Sequence, residues 1–332
     1  MRPNSENSDP ELTGDGLPDQ SITGMSIIIS VNPNSGSTDR TALVDDIRQR
    51  LVDASFEVEV LTDVTQVVKR AGHLSDSGKL RTIVSAGGDG TASLLANRLP
   101  QGIPLAILPL GTENLLARHL GMSADAEQFV DVIIKGRYQK MDAGSANGKL
   151  FLVMAGCGFD AHVVEKLHQN RKGHISYWSW FRPILNTLRR YRYPELQISV
   201  ERSPDEQVKH EQTEAKEILT NTSARWAFIF NAPRYAMNLP LLPEADPYDG
   251  ALDLCSFRYG GLLRGAVYLV AVVLRKHRQW CETEFCKFRK LTISSNSRVP
   301  FQLDGDPGGE LPVTIEVLPN YLTLLVPKKQ VG

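Results

Sequence analysis

Thr82-Ile83-Val84-Ser85-Ala86-Gly87-Gly88-Asp89-Gly90-Thr91 decides the fold: an apolar run passes straight into a glycine-rich turn, and the stretch Ala92 to Arg98 then continues as a helix. A strand of Ile, Val and Ala with no alternation belongs in a parallel sheet covered on both faces. Glycines remove the Cβ atoms that keep backbone N–H groups away from a ligand, and a helix N-terminus adds partial positive charge. The turn therefore reads either as a phosphate cradle or as a plain strand-to-helix connection. Asp89 stands where a divalent cation bridging phosphates needs a hard oxygen ligand or a water held in place.

Two further turns repeat this arrangement. Ser26-Ile27-Ile28-Ile29-Ser30-Val31 leads into Asn32-Pro33-Asn34-Ser35-Gly36-Ser37 and a helix beginning near Asp39. Leu105-Ala106-Ile107-Leu108 leads into Pro109-Leu110-Gly111-Thr112-Glu113-Asn114 and the helical pattern Leu115 to Leu120. The carboxyl ends of parallel strands open on one crevice, so the three turns should converge there as a nucleotide site.

The later part of the chain adds Gly156-x-Gly158-Phe159-Asp160-Ala161 and Leu303-Asp304-Gly305-Asp306. With Asn32-Pro33-x-Ser35-Gly36, Gly87-Gly88-Asp89-Gly90-Thr91 and Pro109-Leu110-Gly111-Thr112-x-Asn114, these resemble in order the motifs of the diacylglycerol kinase catalytic domain family. That family includes bacterial lipid kinases, sphingosine kinases and ceramide kinases. The resemblance runs from about Met25 to Pro327; NAD kinases and phosphofructokinases share a similar glycine pentapeptide but not the ordered set. It implies ATP and Mg²⁺ as cofactors, a lipid hydroxyl as acceptor with a diacylglycerol type favoured, and peripheral work at the inner face of a membrane from the cytoplasm, and it leaves room for a homodimer. A soluble kinase of the NAD kinase type, or a non-catalytic lipid or nucleotide sensor, is the alternative.

By the same resemblance Asp304 takes the position of the general base, and Asp306, where the family usually has Glu, takes a metal-water role with Asp89. Asn32, Pro33, Ser35, Gly36, Gly87, Gly88, Gly90, Thr91, Gly111, Thr112 and Asn114 are the nucleotide-binding candidates, Arg118 one helical turn on being either a phosphate contact or a surface residue. Asp249, in Asp246-Pro247-Tyr248-Asp249-Gly250, resembles the family's structural magnesium loop, with a plain turn as the competing reading. Asp160 is expected to orient a loop at the edge of the second domain.

Composition points to two domains in 332 residues. A formal net charge of −1 gives no global attraction to nucleic acid or to an anionic membrane. Four cysteines without CxxC spacing and seven histidines without ligand spacing argue against a zinc cluster. The first 24 residues, with three prolines and five acidic residues, read as a disordered tail without the features of a secretory signal. No apolar stretch is long enough for a transmembrane segment.

Residues 25–142 read as a doubly wound parallel α/β domain, with strands at 26–31, 57–61, 82–86 and 105–108 and helices at 39–54, 65–72, 91–98, 113–120 and 123–135. Residues 143–332 alternate in the manner of a mostly antiparallel β-sandwich, whose last strand has room to pack back on the first domain. The runs are 151–154, 196–200, 226–230, 252–254 and 291–293, with 203–223 as a long hairpin connection. Between the domains Arg171 to Arg182 and Arg189 to Tyr193 interleave cations with Trp178, Trp180 and Tyr191, a composition that suits a membrane interface or a core-facing helix. The apolar stretch Leu262 to Leu274 is expected to pack into the core first and to touch lipid second.

Overall fold

The computed structural model describes residues 24–32, 38–169, 191–201, 220–233, 239, 241–280 and 282–328. The first part runs β1 (Ser26–Val31), α1 (Thr38–Asp53), β2 (Glu57–Leu61), α2 (Val64–Asp76), β3 (Leu80–Gly87), α3 (Asp89–Arg98), β4 (Pro104–Pro109), α4 (Leu115–His119) and α5 (Ala126–Lys135). Its strands pair in the order β2-β1-β3-β4, all parallel, and every residue of β3 is buried. The helices begin where short polar side chains can cap them: Asp63 accepts from the Thr65 amide at 2.8 Å and Asp125 from the Gln128 amide at 2.9 Å. The Asp125 cap explains why the helix expected from 123 starts at Ala126.

The second part continues as β5 (Arg137–Ala146), β6 (Lys149–Phe151), β7 (Met154–Gly158), α6 (Phe159–Gln169), β8 (Leu196–Glu201), β9 (Thr220–Ala224), β10 (Trp226–Phe230) and β11 (Leu252–Phe257). It ends with α7 (Leu262–Val273), β12 (Thr283–Phe288), β13 (Lys290–Ser294), β14 (Pro300–Leu303), β15 (Asp306–Glu310) and β16 (Val313–Val326). An antiparallel sheet of six strands, β12-β11-β10-β7-β14-β15, faces β5, β6, β8, β13 and β16 across a core that includes Phe151, Ile198, Ile229, Leu254, Leu291 and Phe301. The run 151–154 is split in two. Strand β6 stops at Phe151 because the amides of residues 152–154 leave the ladder for another partner, described below.

Strand β16 ties the two parts together. It pairs antiparallel with β13 and β5 and, near its end, parallel with β4 through Thr323↔Pro104 and Leu324↔Leu105. The parallel sheet of the first part and one layer of the sandwich are thus a single ten-stranded sheet. Its register against β5 slips between Leu318 and Leu322, where Asn320 takes a left-handed conformation. Buried Asp142 on β5 holds that bulge. Its Oδ1 accepts from the Asn320 amide and its Oδ2 from the Gly250 amide, both at 2.7 Å, and its own amide donates to the Pro247 carbonyl.

Replacing Asp142 with Ala strands two backbone donors at once. Each lost bond of this kind costs about 1–3 kcal/mol when its partner stays away from water, and both amides here keep some access. Asp142→Ala is expected to lower the free energy of urea unfolding by about 1–3 kcal/mol. A change smaller than a few tenths would show that the bulge and the 247–250 loop hold without it.

Candidate active site

The turns at the carboxyl ends of β3 and β4 meet, and Asn32, the described residue of the first turn, joins them. Asn32, at the end of β1, donates from Nδ2 to Thr91 Oγ1 at 3.4 Å, linking the first turn to the start of α3. Pro33, Ser35 and Gly36 lie outside the described residues. Between the second and third turns the contact is backbone against backbone. A Cβ on Gly88 would stand 3.1 Å from the Gly111 Cα, and one on Gly111 would stand 2.6 Å from Asn114 Oδ1 as well as against Gly88. Glycine at both positions is a packing requirement of the crevice as well as an opening for a ligand.

Two side chains that the sequence suggests for ligand binding brace these turns. Asn114, in a left-handed conformation, accepts the Gly111 amide at 2.8 Å and donates to the Gly111 carbonyl at 2.9 Å. Asp89 accepts the Leu115 and Leu116 amides at 2.9 and 3.0 Å, one on each oxygen, and so caps the start of α4. Burial pushes the Asp89 carboxyl up from its ordinary value, the two amides oppose this, and Glu113 adds to it. Thr112 and Arg118 are exposed at the mouth.

The Asp304-Gly305-Asp306 turn comes to this crevice from the sandwich. Asp304 sits at φ 50°, and its carboxylate accepts three consecutive backbone amides: Leu152 at 2.7 Å on Oδ2, and Val153 and Met154 at 2.9 and 3.0 Å on Oδ1. A carboxylate has about four acceptor sites, so the second site of Oδ2 stays available for a hydroxyl proton. Burial raises the Asp304 carboxyl to about 6 against the pull of the three amides, and the charge of Asp89 pushes it further in the same direction. Asp306 points its Oδ2 at the start of α3, 3.2 Å from where a Cβ on Gly90 would be. Asp89, Asp304 and Asp306 are therefore brought together from the two parts of the chain.

What aims the turn is a relay the motifs only hint at. Asp160 Oδ2 accepts Gln302 Nε2 at 2.9 Å, and Gln302 Oε1 accepts the Gly305 amide at 2.7 Å. Gly156 is bare because a Cβ there would strike both Asp160 and Gln302. On the other side Asn231, fully buried, donates from Nδ2 to the carbonyls of Asp142 and Leu152 at 2.9 and 2.8 Å, holding the 152–153 segment that binds Asp304. Sequence periodicity does not single out Gln302 or Asn231, since a polar residue inside an apolar strand or just past its end carries no periodic signal of its own.

Among the described residues no three His, Cys, Asp or Glu side chains are grouped to hold a metal by themselves. Asp89 and Asp306 fit a cation that arrives with phosphate oxygens and water, the usual way Mg²⁺ is held. The Asp249 loop does not fit one. Its Oδ2 is engaged by the Lys287 ammonium, which also lies 3.7 Å from Asp253, its register partner across β11 and β12. Asp249 Oδ1 accepts the Ala251 amide and Asp246 the Tyr248 amide, so the loop is satisfied within the protein.

Of the aromatic and basic segment, Tyr191 and Tyr193 pack inward against Phe159, with Trp226 beside Tyr193. Trp178, Trp180, Arg189 and Arg190 lie outside the described residues. Buried Cys157 and Cys255 have thiols pushed up by burial, which leaves them inert.

Known proteins show the same organisation. Residues 26–146 match the family described as diacylglycerol kinase catalytic domain, and residues 153–326 match the YegS C-terminal NAD kinase beta sandwich-like domain. A diacylglycerol kinase of Staphylococcus carnosus is 24% identical over 309 residues, which cover 90% of this chain and 94% of the relative. One of Bacillus subtilis is 24% identical over 310 residues, covering 91% and 96%. A solved structure of a diacylglycerol kinase from Bacillus anthracis superposes with a TM-score of 0.65 at 18% identity, covering 94% of this chain and all of that one.

The crevice geometry orders two substitutions. Gly111→Ala drives a methyl into the Gly88 backbone and the Asn114 amide, whereas Gly88→Ala meets one Cα at 3.1 Å, an overlap that a shift of a few tenths of an ångström relieves. Gly111→Ala is expected to weaken nucleotide binding more than Gly88→Ala, by roughly tenfold or more, as read by calorimetric titration with near-native circular dichroism; equal effects would mean that the two turns relax independently. For the Asp249 loop, neither EDTA nor Mg²⁺ is expected to move the melting temperature of the nucleotide-free protein, while Lys287→Met lowers it by leaving two carboxylates face to face. A Mg²⁺-dependent rise in the wild-type protein would place a cation where the ammonium lies.

Proposed function

The chain belongs to the family of kinases that join a diacylglycerol kinase catalytic domain to a β-sandwich domain, and from that membership we propose that it transfers the γ-phosphoryl group of ATP to the hydroxyl of a lipid, of diacylglycerol type, at a membrane surface. The observation that carries this reading is the position of Asp304: a buried carboxylate, immobilised by three amides, with one acceptor site left over at the mouth of a glycine-lined crevice. Phosphoryl transfer asks little covalent chemistry of a protein. Its requirements are positioning, charge neutralisation and one carboxylate to accept the proton of the attacking hydroxyl.

Asp304 fills the last role. Its raised pKa places it near the range in which a base is both ionised and able to keep a proton, and its amide clamp holds the carboxylate in one orientation. Gly88 and Gly90 bring the backbone close to where phosphate oxygens would lie, Gly111 gives the third turn room beside them with its own amide held by Asn114, and the N-terminus of α3 favours negative charge there. Asp89 braces the third turn through α4 and, with Asp306, would hold a Mg²⁺ that comes with the nucleotide. That ion supplies neutralisation of charge on the phosphates. Asp306 is one methylene shorter than the Glu usual in the family, so its reach is made up by the close approach of β15 to Gly90.

Asp160 acts through Gln302 on the Gly305 amide and is a positioning residue.

The pH dependence follows from the direction of the Asp304 shift. Folding raises this carboxyl above its unfolded value, so the folded protein favours the protonated form, and the cost of burying the charge is fully present only above about pH 6. Turnover needs the ionised form. With ATP and a detergent-dispersed diacylglycerol, kcat/KM is expected to climb through an apparent pKa near 6. In Asp304→Asn it should fall by about 10²–10⁴-fold and lose that limb, with ATP still bound. A D304N protein with the wild-type rate and limb would remove Asp304 from the chemistry; failure with every lipid but turnover of a water-soluble acceptor would favour the soluble kinase.

A further inference from the structure

Helix α7 (Leu262–Val273) contradicts the expectation of ordinary core packing. Only Tyr268, Ala271 and Val272 are buried, while Leu263 is 81% exposed, Val270 and Val273 57% and Leu274 59%, with Leu269 and Val267 close behind. A surface helix normally turns charged side chains to water on its outer face. Here Arg264 is the one charged residue of the helix, and a contiguous aliphatic face of this kind marks an interaction surface.

The charges around it say what kind of surface it meets. From Leu254 through Cys281 the sequence contains no Asp or Glu and five cations: Arg258, Arg264, Arg275, Lys276 and Arg278. They gather at the two ends of the helix, with exposed Tyr259 beneath the guanidinium groups of Arg258 and Arg264 at one end, and Arg275, Lys276 and Trp280 at the other. Arg264 pairs with Glu282 and Arg278 with Glu244; Arg275 and Lys276 are exposed. An aliphatic stripe with cations and aromatics at both ends is the pattern of a helix lying in the plane of an anionic interface. Beside it a groove of about 310 Å³, lined by Val267, Val270, Leu274 and Trp280, offers aliphatic walls to an acyl chain. Among the described residues no helix is long and apolar enough to cross a bilayer, so contact would be in the plane.

We propose that the outer face of α7 is the surface by which this protein docks on anionic lipid bilayers, its aliphatic side chains entering the acyl boundary and Arg275 and Lys276 meeting lipid phosphates. A second copy of the chain fits the face poorly, because Glu282 and Glu244 are already paired with Arg264 and Arg278, and an isologous contact would set exposed Arg275 and Lys276 against cations of the other copy. The inference deepens the proposed function by naming the membrane-facing side, and it rests on that reading only for the acceptor.

The test uses the full chain without nucleotide, sedimented with vesicles of phosphatidylcholine alone or mixed with phosphatidylglycerol. Binding to the mixed vesicles is expected, with release at high salt, since surface attraction is screened within about 10 Å at 0.1 M ionic strength. Leu263→Gln/Val270→Gln, at exposed positions that the fold does not need, should weaken partition on the order of a hundredfold. Arg275→Gln and Lys276→Gln should weaken it roughly fivefold each, and only on anionic vesicles. Equal binding of wild type and variants overturns the proposal, as does absence of wild-type binding to either vesicle. A dimer in sedimentation equilibrium that the double variant abolishes, without vesicle binding, gives the face to a second copy instead. Turnover of a detergent-dispersed diacylglycerol, measured on the same variants, fails only if the proposed function fails, so the two ideas are judged apart.

Discussion

The carboxylate of Asp304, held by the amides of Leu152, Val153 and Met154, is the interaction around which the crevice is built. Partners 150 or more residues apart in the chain bring the last third of the sandwich against the segment that leaves the first sheet. The bond set is stabilising locally and costly electrically. Three amides favour the charge, yet burial beside Asp89 outweighs them and leaves the carboxyl raised. A structural carboxylate with this many donors would ordinarily be driven far below its normal value. Its raised state means that the surrounding fold, rather than the turn itself, supplies the stability to hold it.

Around that carboxylate the division of labour differs from what residue types alone suggest. Asp89 and Asn114, chemically suited to cation and phosphate, spend their hydrogen bonds on the third turn. Gly88 and Gly111, suited to backbone flexibility, are needed because two chains touch there without side chains. A loop that must present bare amides to a ligand has few means of staying rigid. Here rigidity comes from contact between loops and from caps supplied by residues one turn away.

Much of this was legible in the sequence and some was not, for identifiable reasons. Strand β3 and its turn could be read because an unalternating apolar run followed by glycines has few other meanings, and the elements from 26 to 135 fall within a few residues of their expected places. The run 151–154 could not be parsed, because its break is caused by Asp304, far away in sequence. The relay from Asp160 through Gln302 to Gly305 was half visible: Asp160 stands out in a glycine context, while Gln302 is an amide in an otherwise apolar strand. Asp249 read equally as a cation ligand and as a turn. The cross-strand register that sets Lys287 opposite Asp253 brings its ammonium to Asp249 and so favours the turn, and register is a property of pairing that a single strand does not carry.

Helix α7 shows the limit most clearly, because its hydrophobicity is the same number whether the helix is buried or bathed. A 12-residue stretch with one arginine predicts burial of most of its surface, and periodicity cannot say against what. The fold supplies one wall, the aromatic floor of Trp226, Phe257 and Trp280 on which Tyr268 of the helix rests, and this is wide enough for one face of the helix. Aliphatic side chains left on the other face gain nothing from water, and nothing in the core calls for them. Cations are likewise superfluous to packing, yet they flank this helix at both ends while acids are missing from the whole stretch. An aliphatic face with no partner among the described residues and exposed, unpaired Arg275 and Lys276 at its end are two separate departures from an ordinary surface helix, and an anionic interface accounts for both with one physical cause.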